Sequence, residues 1–240
     1  MANTTLHLIS AGAAKGLVES LRDEWTALTQ VTIDGSFGAV GAMKDKLLAG
    51  APCDVLILTQ VMLDELAARN VVVADSIRPL GRVFTGVAVP DGAVPPAIDS
   101  PDALRQSLLC ATAIYIPDPQ RATAGIHFAK VLKKLGIDGV VAPRLRAFPN
   151  GAAAMHAMAS ANDPEAIGCT QVTEILYTER VTLVGLLPQE FELATLYSVA
   201  VCAGSLASPS ARRFADLLAD DKTAALRAKG GFQPVKPAAL

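Results

Sequence analysis

The chain has 240 residues, a formal net charge of −2, and 51% hydrophobic but only 5% aromatic residues. That length allows one large domain or two lobes of roughly 100 to 150 residues each. With no basic excess, no Lys/Arg block and no aromatic-basic interleaving, the composition argues against a nucleic-acid partner, and no apolar run reaches the roughly 18 to 20 residues of a membrane-inserted helix.

The start, residues 1–6, has neither the basic nor the apolar segment of a secretory leader. The expectation is a cytoplasmic chain, or a periplasmic one from which a leader has been removed. A short apolar strand at 6–9 runs into a small-residue loop from Ser10 to Gly16. A helix is predicted at 17–28, where Leu17, Val18, Leu21, Trp25 and Leu28 keep helical spacing and Glu19, Arg22, Asp23 and Glu24 lie opposite. A strand at 31–33, a glycine-rich turn at 36–41 and a helix at 42–49, ended by Gly50 and Pro52, repeat that layout. The apolar run at 54–58 is the pattern of a parallel strand buried on both faces. Strands alternating with helices predict a mostly parallel sheet with right-handed crossovers, and ligands in such folds sit beyond the carboxyl ends of the strands.

After a strand at 83–89 the proline-rich stretch 90–101 reads as passage into a second lobe. There the pattern gives a strand at 113–116, a turn at 117–125, a helix at 126–135, a turn and helix from Pro149 to about Ala161, and a strand at 166–170. A strand at 194–202, a helix at 211–218 and a last helix near 222–229 follow. Cys53, Cys110, Cys169 and Cys202 form no Cys-x-x-Cys and read as buried free thiols. His7, His127 and His156 do not stand at metal-ligand spacing, so neither a metal nor a cofactor is expected; His7, in a buried-type strand, reads as a hydrogen-bonded core residue.

Helix starts follow strands at 12–16, 39–41, 123–125 and 150–152. A helix N-terminus offers unpaired backbone N–H groups and about half a positive charge, which suits an oxyanion. Candidate ligand contacts are therefore Gly12, Ala39, Val40, Thr123 and Asn150, with Thr59, Thr170 and Gln171 at strand ends nearby in pattern. Each has a local alternative, a tight turn for the Gly-Ala loops and capping for the polar side chains. Arg121, in the turn before the 126–135 helix, offers a guanidinium suited to paired hydrogen bonds with a carboxylate, or is a solvated turn residue. Lys15 and Lys44 fall in first turns of helices, where a bound anion would favour them and surface exposure is the alternative.

In order and spacing, LISAGA at 8–13, SFGAVGAM at 36–43, AGAPCDVLI at 49–57, AGIHFAK at 124–130 and GGFQP at 230–234 resemble the type II periplasmic solute-binding proteins, within them the molybdate-binding branch. The resemblance implies an α/β, two-lobed fold of mostly parallel sheets with a two-strand hinge. Its first lobe would be built from residues 1–83 and 195–240, with 84–194 inserted as the second and a small anion held in the cleft between them. The family places serine hydroxyls in the first two loops and a tyrosine in the second lobe; the matching positions here are Gly12, Ala39 and Gln171. Those changes remove hydroxyls that hold a tetrahedral oxyanion, with Ser10 a partial substitute. Together with Arg121 they shift the expectation from molybdate or tungstate to an organic polycarboxylate.

Two functions follow from the resemblance. One is a binding protein whose closed form is read by an ABC transporter, a partner available only if the chain is exported. The other is an isomerase of an unsaturated carboxylate, similar to aconitate isomerase, in which a base drawn from Glu174, His127 or Lys44 shifts an allylic proton while the carboxylates are held. For Glu174 an exposed helical position is the simpler reading. A DNA-reading regulator would need length and a basic helix that this chain lacks.

Overall fold

The computed structural model describes residues 4–205 and 207–235; residues 1–3, on which part of the reading of the amino terminus rests, lie outside it. β1 (Thr4–Ala11) passes through a single 3-10 turn into α1 (Lys15–Thr29), β2 (Val31–Gly38) into α2 (Val40–Leu48), and β3 (Val55–Thr59) directly into α3 (Gln60–Ala68). β4 (Arg78–Pro90) leads to α4 (Pro101–Cys110), β5 (Ile114–Pro117), α5 (Thr123–Lys134), the short α6 (Asp138–Val141) and β6 (Leu145–Phe148). Then come α7 (Gly151–Ser160), β7 (Ile167–Gln171), α8 (Val172–Tyr177), β8 (Val181–Leu186), β9 (Ala194–Val201), α9 (Ser208–Ala219) and α10 (Ala224–Lys229). The chain divides into two compact units, residues 1–83 with 195–240 and residues 84–194. It passes from one to the other inside β4 and again at the start of β9.

In the first unit the strands stand in the order β2-β1-β3-β9. β1 is parallel to both β2 and β3, while β9 is antiparallel to β3. Three parallel strands that each feed a helix place the starts of α1, α2 and α3 along one edge of the sheet. Val55, Leu56, Ile57 and Leu58 are all fully buried because β3 has side chains packed on both faces, as the unbroken apolar run predicts. Each such side chain contributes about 1.5–3 kcal/mol of burial free energy. The helical spacing of 17–28 is realised as α1, whose Trp25 meets Phe214 of α9 edge-on at 5.0 Å between ring centroids.

In the second unit the order is β4-β7-β5-β6, and β8 also pairs with β4. β5 is parallel to β6 and β7; β4 is antiparallel to β7 and β8. The starts of α5, α7 and α8 therefore share the carboxyl edge of this sheet. Its two faces carry separate cores. Val87, Ile167 and Cys169 pack with residues of α4, α5 and α6, whereas Ala88 and Ala166 pack with Ala154, Met155 and Met158 of α7.

Several local expectations change. The glycine-rich segment 36–41 is strand as far as Gly38, because Phe37 and Gly38 pair with Ser10 and Ala11 of β1. His7 is not a core residue: it is half-exposed, and its Nδ1 lies 3.3 Å from Asp34 Oδ2, its register partner on β2. Of the four thiols, Cys169 and Cys202 are buried, Cys53 is half-buried and Cys110, the last residue of α4, is exposed. Among the described residues no helix is long and apolar enough to cross a membrane.

Candidate functional site

In the first unit, the register of Ala11 with Gly38 sets the turn at Gly12 beside the start of α2. No side chain caps the turn that begins at Gly12, and none caps α2, whose N-cap residue is Ala39. Ala39 and Val40 are buried and Gly12 is half-buried, so both starts present backbone N–H groups behind small side chains. Ser10 is wholly buried and its Oγ donates to the carbonyl of Ala11 at 2.9 Å. Thr59 is a helix cap: its Oγ1 accepts from Met62 N at 3.4 Å. Lys44 Nζ lies 2.7 Å from Glu65 Oε2 and ties α2 to α3. Lys15, half-buried as the first residue of α1, holds its Nζ 6.0 Å from the centroid of the Phe37 ring.

The second unit brings the remaining candidates to one sheet edge but onto opposite faces. On the face of α5, that helix starts after Ala122 with no side-chain cap, and Thr123 is its first, half-buried residue. Gly125 is buried there and leaves no room for a side chain, since a Cβ would run into the carbonyls of Pro117 and Asp118. Arg121 is exposed in a turn fixed by Asp118, whose Oδ1 accepts from the backbone N–H groups of Gln120 at 2.7 Å and Arg121 at 3.2 Å. His127 Nε2 lies 2.7 Å from the Phe191 carbonyl oxygen, which places its ring in a structural contact.

On the face of α7, the candidates Asn150, Thr170 and Glu174 gather at the start of that helix, the last two joined by a hydrogen bond. Asn150 caps α7, its Oδ1 accepting from Ala153 N at 2.9 Å. Glu174 is buried, contrary to the expectation of an exposed helical position, because the end of β7 and the start of α7 close over it. Its carboxylate accepts from Gly151 N at 3.2 Å and from Thr170 Oγ1 at 2.6 Å. Burial pushes the Glu174 pKa above the ordinary carboxylate range, opposed by the Thr170 hydroxyl and by the backbone N–H groups of Gly151, Ala152 and Gln171. Gly151 has no room for a Cβ, which would collide with Thr170 Oγ1 and Glu174 Oε2.

Gln171 follows Thr170 along β7 and therefore lies on the other face, the face of α5. It is buried, and neither atom of its side-chain amide has a hydrogen-bond partner among the described residues; the same holds for Thr85 Oγ1. Thr85 carried no signal in the sequence. It reaches the site because residues 85 and 171 are register partners across β4 and β7, a pairing that local patterns do not encode.

Two units joined by strands, each with helix starts aligned along a sheet edge, define a two-lobed α/β protein of the type II solute-binding class. The chain belongs to the family described as bacterial extracellular solute-binding protein, whose model matches residues 6–233. Among curated proteins it is 27% identical over 238 residues to an aconitate isomerase of a Pseudomonas species, covering 97% of this chain and 88% of that one. Its fold matches the periplasmic molybdate-binding protein of Azotobacter vinelandii with a TM-score of 0.79 at 17% identity, covering 96% of this chain and 100% of that one. It also matches a sulfate-binding protein of Mycobacterium tuberculosis H37Rv, with a TM-score of 0.74 at 20% identity and 98% and 88% of the two chains covered. At those identities the structural matches establish the fold, and the ligands belong to the neighbours.

Proposed function

We propose that this protein binds a small organic anion carrying more than one carboxylate. The observation that supports it most is the pair of uncapped starts at Gly12 and Ala39, where the side chains can add no hydroxyl and the donors are backbone N–H groups. Backbone donors at such starts can hold a carboxylate in its plane, and the hydroxyls that the resemblance places at these two positions for a tetrahedral oxyanion are absent. Arg121, beside the uncapped start of α5, supplies a fork for a further carboxylate. As a binding protein the chain would hand its ligand to a transporter. Calorimetric titration with tricarballylate and with molybdate tests the reading; tight molybdate binding without a carboxylate response refutes it. Arg121→Ala is expected to weaken the carboxylate by about tenfold to a hundredfold, the range of a charge-assisted pair.

A second reading is isomerisation of an unsaturated carboxylate. Its support is the buried Glu174 carboxyl, whose pKa is moved toward neutrality as a proton-transfer group requires, together with the aconitate isomerase similarity along nearly the whole chain. Proton NMR of cis-aconitate with the protein in deuterated water decides it. The expected result is interconversion of vinylic and methylene signals with deuterium uptake, lost in Glu174→Gln; a spectrum that stays unchanged at high protein concentration leaves the binding function alone.

A further inference from the structure

Thr85 and Gln171 are 1% and 3% exposed, and their side-chain polar atoms have no partner among the described residues. Buried polar groups in folded proteins are nearly always paired, and an unmade bond costs stability. As register partners of an antiparallel pair, the two side chains project from the same face of the sheet, side by side. The next pair along that face, Val87 and Cys169, is already core beneath α5. Gln171 ends β7 at the edge where α5, α7 and α8 begin, the place where open α/β sheets take their ligands.

The chemistry of the pair is selective. Whichever way it is turned, the Gln171 amide presents both N–H donors and a carbonyl acceptor, and the Thr85 hydroxyl donates one hydrogen bond and can accept others. An inorganic oxyanion or an ionised carboxylate only accepts, so it can take the donors of the pair but offers nothing to the Gln171 carbonyl oxygen. An alcohol both donates and accepts. We propose that Thr85 and Gln171 form a subsite for a hydroxyl of the ligand, which makes the preferred ligand a hydroxycarboxylate. The carboxylate part of that statement rests on the function proposed above; the hydroxyl part rests on these two residues.

Citrate and tricarballylate differ by a single hydroxyl, and calorimetric titration of the full chain with both tests the subsite. Citrate is expected to bind about tenfold tighter or more, because a site built to hydrogen-bond a hydroxyl discriminates strongly against its absence. Gln171→Leu and Thr85→Val should each bring the ratio of citrate to tricarballylate affinity toward unity. Equal affinities in the wild type overturn the subsite and leave the carboxylate reading standing. If molybdate binds and neither carboxylate does, the carboxylate reading falls, and thermal unfolding without ligand decides the subsite. There the double variant Thr85→Val, Gln171→Leu is expected to unfold several degrees higher than wild type, since it removes unpaired buried groups. A lower unfolding temperature would mean that bound water already pairs them, and the subsite would be overturned.

Discussion

Alanine in place of Gly151 is expected to destabilise the protein by about 3 kcal/mol or more, the upper part of the range for overpacking a filled site. The added Cβ would meet Thr170 Oγ1 and Glu174 Oε2, and both belong to a buried network with no solvent to move into. Relief by rotating either side chain breaks the bond between Thr170 and Glu174, and relief by shifting α7 lifts Met155 and Met158 from the sheet. For a chain of this length each kcal/mol corresponds to about 2–4 °C in unfolding temperature, so a loss of about 6–12 °C should be seen by calorimetry. An unfolding temperature within one or two degrees of wild type would show that the network yields easily. The same substitution at Gly139, where a Cβ meets nothing within 4 Å, is the control.

Removing the Glu174 carboxyl should have two separable effects. Glu174→Leu leaves the Gly151 N–H and the Thr170 hydroxyl buried without their acceptor, at about 1–3 kcal/mol each, so the protein should lose about 2–6 kcal/mol of stability. Glu174→Gln keeps the shape, with an oxygen for Gly151 and an amide group for Thr170, and should fold close to wild type. The variant differs in its response to pH. Because burial raises the Glu174 pKa in the folded protein, the native state still holds a proton at pH values where the unfolded chain has released it. The stability that this group contributes is therefore present in full below the unfolded carboxylate value. It falls as pH rises through the raised folded value and is level beyond it. Urea titrations of wild type and Glu174→Gln across the weakly acid range should show the wild type losing stability relative to the variant as pH increases; a parallel pair of curves would contradict the raised pKa.

How far the residues speak for themselves depends on the distance over which they act. The apolar run at 54–58 and the helical spacing at 17–28 declare β3 and α1, because burial on two faces or on one stripe is written into neighbouring residues. The succession of such segments, with the resemblance, is enough for the two-lobed α/β class. α3 escapes the same reading because it follows β3 with no glycine or proline between them. β6 and β8 are short or half-exposed strands with little alternation to display.

The candidate site divides along the same line. That helix starts follow strands at Gly12, Ala39, Thr123 and Gly151 is local information, and it can be read directly from small residues placed after apolar runs. Which starts are open and which are closed is not local. α3 is capped by Thr59 and α7 by Asn150, while Glu174 also lies against the α7 start, brought there from 23 residues away in sequence. Glu174 has the sequence context of a surface residue on a six-residue helix, and only the packing of α7 against β7 and α8 buries it. Likewise Thr85 becomes the neighbour of Gln171 through the antiparallel register of β4 and β7. The sequence by itself determined the long periodic elements, their order and the small-residue helix starts that follow the strands, since periodicity and turn chemistry act within a few residues. Tertiary structure alone decided which buried polar groups are paired and which have no partner among the described residues, since hydrogen bonds between buried side chains depend on strand register and helix packing across the whole chain.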